Sequence, residues 1–404
     1  MDMNSQHRVV VIGAGYAGVL AANRIQASLT SAEARRVSVV MVNPRPDFIE
    51  RIRLHEVAAG VRENAAIPLG DMLHPLVELV ELVEGTVVEI DADARVLSVA
   101  VGGVVTKEKY DTLVYAVGSA AAMKVPGAES FAHPLGNVEG AESARLAIAT
   151  GEHDQRIVVV GGGATGVEAA AEFAEQYPTA SVTLVSRGEV LGHLPAASRR
   201  SIGATLRRLG VTVLESSGVA RVTADAVHLA DGGSVPSDVT VFAASFTVPD
   251  LARRSGLAVD AIGRLLVDEQ LRALSHPEIV GAGDAVHPPS TVAAHLRMGC
   301  AIAMPLGGHA ADNVLHTLRG EALARLDVGF GAQCISLGRR AGLIQLLTRA
   351  DEPLPVRITG RAGAIVKELV CSVLAAGAPR RERTRPGSLI LPGAPKRMPV
   401  DART

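Results

Sequence analysis

Two glycine clusters carry the clearest chemistry in the chain. Gly13, Gly15 and Gly18 follow the run Arg8-Val9-Val10-Val11-Ile12, and Gly161, Gly163 and Gly166 follow Arg156-Ile157-Val158-Val159-Val160. A buried parallel strand reads as an unbroken Val/Ile run, and glycines after it let the backbone turn tightly and approach a pyrophosphate at a helix N-terminus. One cluster alone is a weak signal; two of them suggest two bound dinucleotides. Asp284 ends the stretch Gly281-Ala282-Gly283-Asp284, where a carboxylate fixed at a strand end is placed to accept hydrogen bonds from a polyol. Asn43 closes the run Val37 to Val42, at a position where a carboxylate would ordinarily hold ribose hydroxyls and an amide makes a weaker bond. Ser186 and Arg187 close the run Ser181 to Val185, Ser186 lying 20 residues after Gly166. An arginine there can clamp the 2′-phosphate of NADPH, so NADPH is expected ahead of NADH; the alternative has Arg187 facing solvent.

These groups need strands, glycine turns and helices in alternation. Val19 to Ser28 offers an apolar face as the helix behind the first glycine cluster, and Val167 to Tyr177 is the helix behind the second. Between the two units, Val77 to Ile90 reads as strands, and Arg95 to Val101 with Val104 to Lys107 reads as a hairpin turning at Gly102-Gly103. Tyr110 to Ser119 reads as a buried strand in which Gly118 lets backbone pass close to a cofactor. Ala-rich Asn137 to Ala149 reads as a helix, and Gly151 to Gln155 as a linker. Pro44 to Gly60 carries Asp47, Arg51, Arg53, His55 and Glu56, which either form a solvated loop face or line a cavity.

Composition narrows the function classes. With 404 residues, 48% of them hydrophobic, the chain can build two or three sizeable cores. Forty basic side chains against 42 acidic ones leave a net charge of −2, so no global field favours nucleic acid or an anionic membrane. Cys300, Cys334 and Cys371 lie far apart and form neither a CxxC redox pair nor a metal-ligand cluster; no metal is expected. A dithiol relay is excluded from Pro44 to Gly60, which has no cysteine. No secretory signal is read before the first strand, and no apolar run is read as membrane-spanning, the nearest being Ala362 to Ala378 with Lys367 and Glu368 in its middle. The expected compartment is the cytoplasm.

The ordered set Gly13-Ala14-Gly15-Tyr16-Ala17-Gly18, Tyr115-Ala116-Val117-Gly118, Gly161 to Gly166 with Glu168, and Gly281-Ala282-Gly283-Asp284 resembles the pyridine-nucleotide-dependent flavoprotein oxidoreductases of the glutathione reductase fold. Within them the chain looks most like type II NADH dehydrogenases, through Leu54-His55-Glu56-Val57-Ala58-Ala59-Gly60 and Val328 to Leu347. The resemblance implies an α/β fold of two Rossmann-type domains with a small C-terminal α+β region. Residues 1–120 and 250–320 would form a split FAD domain, 121–249 the NAD(P) domain, and 321–404 the C-terminal region, with a flexible basic tail from about 380. It implies FAD on Gly13, Gly15, Gly18 and Asn43, with the Val88 main chain at the adenine and Asp284 on the ribityl chain. NADPH or NADH would lie on Gly161, Gly163 and Gly166, and Glu168 near the two reacting rings, its alternative role being a first-turn acid favoured by the helix dipole.

The implied activity is hydride transfer from NAD(P)H to FAD and on to a small organic acceptor, either a quinone or a specialised metabolite. The alternatives are a single-component type II NAD(P)H:quinone dehydrogenase and a non-enzymatic flavoprotein sensor. Quinone-reducing relatives carry two glutamines early in the helix after the Gly-Asp motif. Matched to Thr291 to Leu296, those positions are Val292 and Leu296 here, and His295 could act near the flavin or simply be packed. His55 is the further catalytic candidate. The C-terminal stripe Ile365, Val366, Leu369, Val370, Val373 and Leu374 is read as packing on the protein or on a second copy of the chain, the alternative being peripheral membrane contact.

Overall fold

Both Val-rich runs form the middle strand of a five-stranded parallel sheet, and that placement positions everything else. In the computed structural model of the chain, residues 6–79, 85–151, 154–389, 392, 393 and 395 are described. The expected strand through 80–84, the linker residues 152 and 153 and the remainder of the tail lie outside them.

The first sheet runs Ile279–Gly281, Thr112–Tyr115, His7–Ile12, Val37–Val42, Glu78–Leu79, and the second runs Ala132–Pro134, Val239–Phe242, Arg156–Val160, Ser181–Val185, Thr212–Leu214. Every pairing within them is parallel. Strands buried on both faces need continuous β-branched side chains, which is why Val9, Val10, Val11 and Ile12 are all sealed from solvent. In each sheet the chain leaves the middle strand, builds one side, and returns later to add the strand on its other flank, Thr112–Tyr115 in the first and Val239–Phe242 in the second. The reversal opens a crevice at the carboxyl end of the middle strand, where each glycine cluster sits.

The segments that cross between the sheets, Ala120–Ala121 and Phe246–Thr247, pair antiparallel with each other. Among the described residues there are also two further two-stranded pairs, Asp47–Ile49 with Ala66–Pro68 and Leu265–Leu266 with Val286–His287, and three three-stranded antiparallel sheets. Thr86–Asp91, Val96–Val101 and Val104–Lys109 pack on the first unit, with the hairpin turning at Gly102 and Gly103 in the left-handed region. Val219–Val222, Ala226–Leu229 and Ser234–Pro236 decorate the second, and Ala332–Ser336, Gly342–Leu347 and Pro353–Thr359 form the C-terminal sheet.

The helix Tyr16–Ser28 is buried almost all round, from Tyr16 to Gln26. A one-sided apolar face does not describe it, because three elements enclose it: the first sheet, the long helix Cys300–Arg319, and the C-terminal helix Gly377–Glu382. Its polar members are satisfied across those contacts. The Asn23 side chain donates to the carbonyls of Met72 and Pro379, and Arg24 makes a two-pronged ion pair with Glu382, at 2.8 and 3.1 Å.

Two features of the C-terminus differ from how the sequence reads. Of the basic tail expected to be flexible from about 380, the described residues 380–389 fold back against the first unit. Glu382, fully buried, accepts from Arg24 and from the backbone N–H groups of Gly387 and Leu389, so the arginines flanking it disguised a buried counter-ion. The run Ala362 to Ala378 is also longer as a helix than it reads as a sequence. Gly360–Glu382 is a helical run of 23 residues, α-helical to Leu369, π-helical over Val370–Ala375 and α-helical again from Gly377, and an 18-residue window in it has a mean hydropathy of 1.4, long and apolar enough by length and composition to cross a membrane. Lys367 and Glu368 do not interrupt it, because both turn sideways into ion pairs with the body of the protein.

Candidate active site between the two nucleotide cradles

The two glycine clusters build matching cradles. Gly15 and Gly163 are the N-cap residues of Tyr16–Ser28 and Ala164–Gln176, and neither helix start is capped by a side chain. The first N–H groups are therefore free to meet an anion at the positive end of the helix dipole. A Cβ on Gly15 or Gly163 would point into open space, whereas one on Gly18 or Gly166 would overlap the carbonyl oxygen of Gly13 or Gly161. The outer glycines keep helix and strand close; the middle ones leave bare backbone for a ligand. The residues fit a pyrophosphate at each cradle.

Asp284 stands at the junction of strand ends beside the first cradle. Its carboxylate accepts from Ser119 Oγ and from the backbone N–H of Gly299, both at 2.8 Å, and Arg51 reaches the Ser119 carbonyl at 2.7 Å. Arg51 thus bonds to the same segment that orients Asp284. Gly118, in the left-handed region with open space over its Cα, lets the chain pass just behind this group. Asn43 is used differently from the expected ribose contact: its carbonyl oxygen accepts from the Ala14 N–H at 2.9 Å and its amide donates to the Arg45 carbonyl at 2.8 Å, tying the strand end to the glycine turn. Val88 lies at a bulge in its strand, with its carbonyl accepting from Arg254 at 3.1 Å. At the second cradle the Ser186 hydroxyl lies under Gly162, where any larger residue would collide with it, and Arg187 is exposed at the strand end.

Between the cradles lies a cluster that unites four segments distant in sequence. Lys367 Nζ meets Glu168 Oε1 at 2.9 Å, and the same oxygen accepts the Ser336 N–H at 3.0 Å. The Ser336 hydroxyl contacts His55 Nε2 at 3.2 Å, and Lys367 also donates to the Cys334 carbonyl at 3.3 Å. Burial works against charge on Glu168, but Lys367 and the Ser336 N–H outweigh it and hold the carboxyl below its ordinary range. Burial likewise disfavours the Lys367 ammonium, and Glu168 more than compensates, keeping it charged. His55, sealed from solvent, has its pKa lowered by burial and is neutral.

A second ring of ion pairs surrounds this cluster. Arg53, 2% exposed, forks onto Glu368 at 2.6 and 2.7 Å and contacts Glu56 at 2.9 Å. Arg339 meets Glu56 at 3.2 Å and Glu172 at 3.0 Å. Glu172 lies one helical turn beyond Glu168 and is fully buried, which pushes its carboxyl up to about 7 despite Arg339. A cavity of about 650 Å³ opens beside these groups, lined by Glu56, Ser336, Arg339, Lys367, Glu368 and Cys371 among others.

Of the sequence-derived catalytic candidates, Glu168 and His55 are thus brought together through Ser336. His295 is elsewhere. Its Nε2 donates to the Val328 carbonyl at 2.7 Å and its ring meets Phe330 edge-on, a packed core histidine. The reason is local: Ser290–Ala293 is only one helical turn, and the helix that abuts Asp284 begins later, at Cys300. Thr291 to Leu296 therefore precede that helix. Lys367, Ser336 and Arg339 were not singled out from the sequence. The two charges inside the apolar run were their one visible signal, since a charge carried into an apolar segment requires a buried partner.

The profile of the pyridine nucleotide-disulphide oxidoreductase family matches residues 7–299. An NADH dehydrogenase-like protein of Mycobacterium tuberculosis is 30% identical over 351 residues, covering 82% of this chain and 86% of the relative. A type II NADH:quinone oxidoreductase of Staphylococcus haemolyticus is 25% identical over 404 residues, covering 90% and 94%. Among solved structures, the sulfide:quinone oxidoreductase of Aquifex aeolicus aligns with a TM-score of 0.76 at 19% identity, covering 94% of this chain and 93% of that one. NDH2 of Plasmodium falciparum, solved with NADH, aligns with a TM-score of 0.78 at 13% identity, covering 94% and 97%.

Proposed function

The chain belongs to the pyridine nucleotide-disulphide oxidoreductase family and is an NAD(P)H-dependent oxidoreductase, and from that premise we propose that it is a cytoplasmic FAD enzyme passing two electrons from NADPH to a small organic acceptor. The observation that carries this reading is the pair of bare-backbone cradles, one at the switch point of each parallel sheet, with the Lys367–Glu168 pair between them. FAD, when bound, supplies the two-electron relay between nicotinamide and acceptor. Gly13, Gly15 and Gly18 would hold its pyrophosphate, and Asp284, already oriented by Ser119 and Gly299, would accept from its polyol chain. Gly161, Gly163 and Gly166 would hold the nicotinamide dinucleotide. Glu168 keeps Lys367 protonated in a nearly closed site, so a positive charge stands beside the reacting region without depending on solvent. His55 and Ser336 orient Glu168 from the other side. The segment Pro44 to Gly60 carries no cysteine, which supports a transfer that uses no dithiol there.

Arg187 supports NADPH over NADH, being exposed at the strand end that reads the ribose. Anaerobic addition of NADPH to the yellow protein should bleach it faster than NADH does. Replacing Arg187 with Ala should lower the NADPH:NADH ratio of kcat/KM by roughly 10- to 100-fold, the value of one charge-assisted hydrogen bond. A wild-type preference for NADH overturns that assignment, and a protein that takes up no FAD overturns the whole reading.

One observation favours a second reading, a type II NAD(P)H:quinone dehydrogenase. Ile365 and Leu369 of the C-terminal helix, 70% and 59% exposed, and Leu354, Val356 and Ile358 of the neighbouring strand are apolar side chains turned outward, which suits contact with a membrane carrying a lipid-soluble acceptor. Turnover across a panel of short-chain quinones separates the two: uniformly slow turnover leaves the specialised acceptor.

A further inference from the structure

The cavity of about 650 Å³ beside Lys367 has an uneven charge balance that the Lys367–Glu168 pair does not use. Four cations line it, Arg339, Arg340, Arg361 and Lys367, against two carboxylates, Glu56 and Glu368. Most of these are neutralised in place. Lys367 is matched by Glu168, Glu368 by the fork of Arg53, and Arg339 by Glu172 and Glu56.

Arg340 and Arg361 are the exceptions. The Arg340 side chain is 90% exposed, and its one ionic neighbour among the described residues, Glu175, is a long 3.8 Å away while also accepting from the Arg339 N–H. Among the described residues Arg361 has no ion-pair partner. Both guanidiniums therefore stand at the cavity wall with their donors unspent, on elements held in place by the C-terminal sheet. Between Arg361 and Lys367 the wall is apolar, formed by Ala364 and Ile365, with Leu369 beyond. Six residues of helix separate the two cations, about 9 Å along the axis.

Resting on the reading of the chain as a flavin-dependent reductase, we propose that the acceptor is an amphipathic organic anion: its carboxylate, sulfonate or phosphate is held by Arg340 and Arg361, its apolar body lies against Ala364 with Ile365 and Leu369 at the exposed rim, and its reducible end faces Lys367. Guanidinium groups suit such anions because their fixed fork of donors matches the oxygens. Partly exposed sites weaken the attraction, so salt should matter. The overall reaction balances as NADPH plus one proton plus acceptor giving NADP+ and the two-electron-reduced acceptor.

The test compares 1,4-naphthoquinone-2-sulfonate with uncharged 1,4-naphthoquinone, using the FAD-loaded full chain. The R340Q/R361Q double variant corrects for their different intrinsic reactivity. The sulfonate:parent ratio of kcat/KM should fall at least tenfold from wild type to variant, through KM, and the wild-type ratio should fall as NaCl is raised. Quenching of flavin fluorescence by the sulfonate gives the same comparison without turnover and shows that the variant holds its cofactor. A ratio within twofold between the two proteins, or one insensitive to salt, overturns the proposal. Anaerobic bleaching by NADPH separates the failures: a bleached protein without charge preference loses the anion site alone, while a protein that is never bleached loses the reductase reading and this one with it.

Discussion

Glu172 and Glu168 lie one turn apart on the same helix, share burial, and have their carboxyl pKa values shifted in opposite directions because their partners differ. Glu168 is held charged by a lysine and a backbone N–H, whereas Glu172 has only Arg339, which it shares with Glu56. The raised Glu172 carboxyl makes stability pH-dependent in a defined direction. Its folded-state pKa of about 7 lies above the value of 4.5 in an unfolded chain, so the folded state binds the extra proton between those values. The contribution is fully present below pH 4.5 and is lost as pH rises through about 7. Replacing Glu172 with Gln should remove that slope, so that the variant gains on the wild type as pH rises from about 4.5 to 7 and the difference is constant above. Chemical denaturation across that range checks it; a difference independent of pH refutes it. His55 has the opposite character: burial keeps it neutral, which suits orientation of Ser336 and Glu168 and does not suit proton donation at neutral pH.

The C-terminal helix works through two faces. One sends Lys367, Glu368 and Ser372 inward to Glu168 and Arg53; the other turns Ile365, Leu369 and Val373 outward. After a π-helical turn at Val370–Ala375 the chain docks Gly377–Glu382 against the first dinucleotide helix. That docking is a buried ion pair. Removing Glu382 leaves Arg24 with only the half-exposed Asp312, at 3.0 Å, and strands the N–H groups of Gly387 and Leu389, a cost toward the lower end of the about 3–5 kcal/mol of breaking a buried pair. Glu382→Ala should therefore lower the unfolding free energy by about that amount and weaken FAD retention, because Arg24 lies on the helix whose N-terminus forms the cradle. Glu382→Ala paired with Arg24→Met should recover much of the stability. Denaturant titration and flavin release on heating measure both; unchanged stability in the single variant would show that the C-terminal helix is dispensable.

At the scale of the whole molecule, the ion network is the seam. Arg53 belongs to the first unit, Glu172 and Glu168 to the second, Arg339 and Ser336 to the C-terminal sheet, and Glu368 to the last helix. Together with Lys367, Glu56 and His55 they pair across these boundaries, so the C-terminal region and the two nucleotide units should lose structure together. Arg53→Met, which strands Glu56 and Glu368, should split a single unfolding transition or lower it sharply, and calorimetry reads which.

The sequence by itself determined the two nucleotide units, their order and the positions of their glycines. Those features depend on neighbours in the chain: a β-branched run must be a buried strand, and glycine must follow where strand, helix and phosphate converge. The hairpin at Gly102-Gly103 was legible for the same reason. Only the tertiary structure decided what the charged residues do. Arg51, Arg53, His55 and Glu56 read equally as a solvated loop or a cavity wall, because a charge has no local preference that reveals a partner 300 residues away. His295 read as a candidate because a short helix and a long one could not be told apart behind the Gly-Asp motif. Glu382 was hidden among arginines, and Lys367 looked like a break in an apolar run. Backbone geometry is written in short spacings, while electrostatic pairing is written in the fold, and the cluster around Glu168 and Lys367 is made of the second.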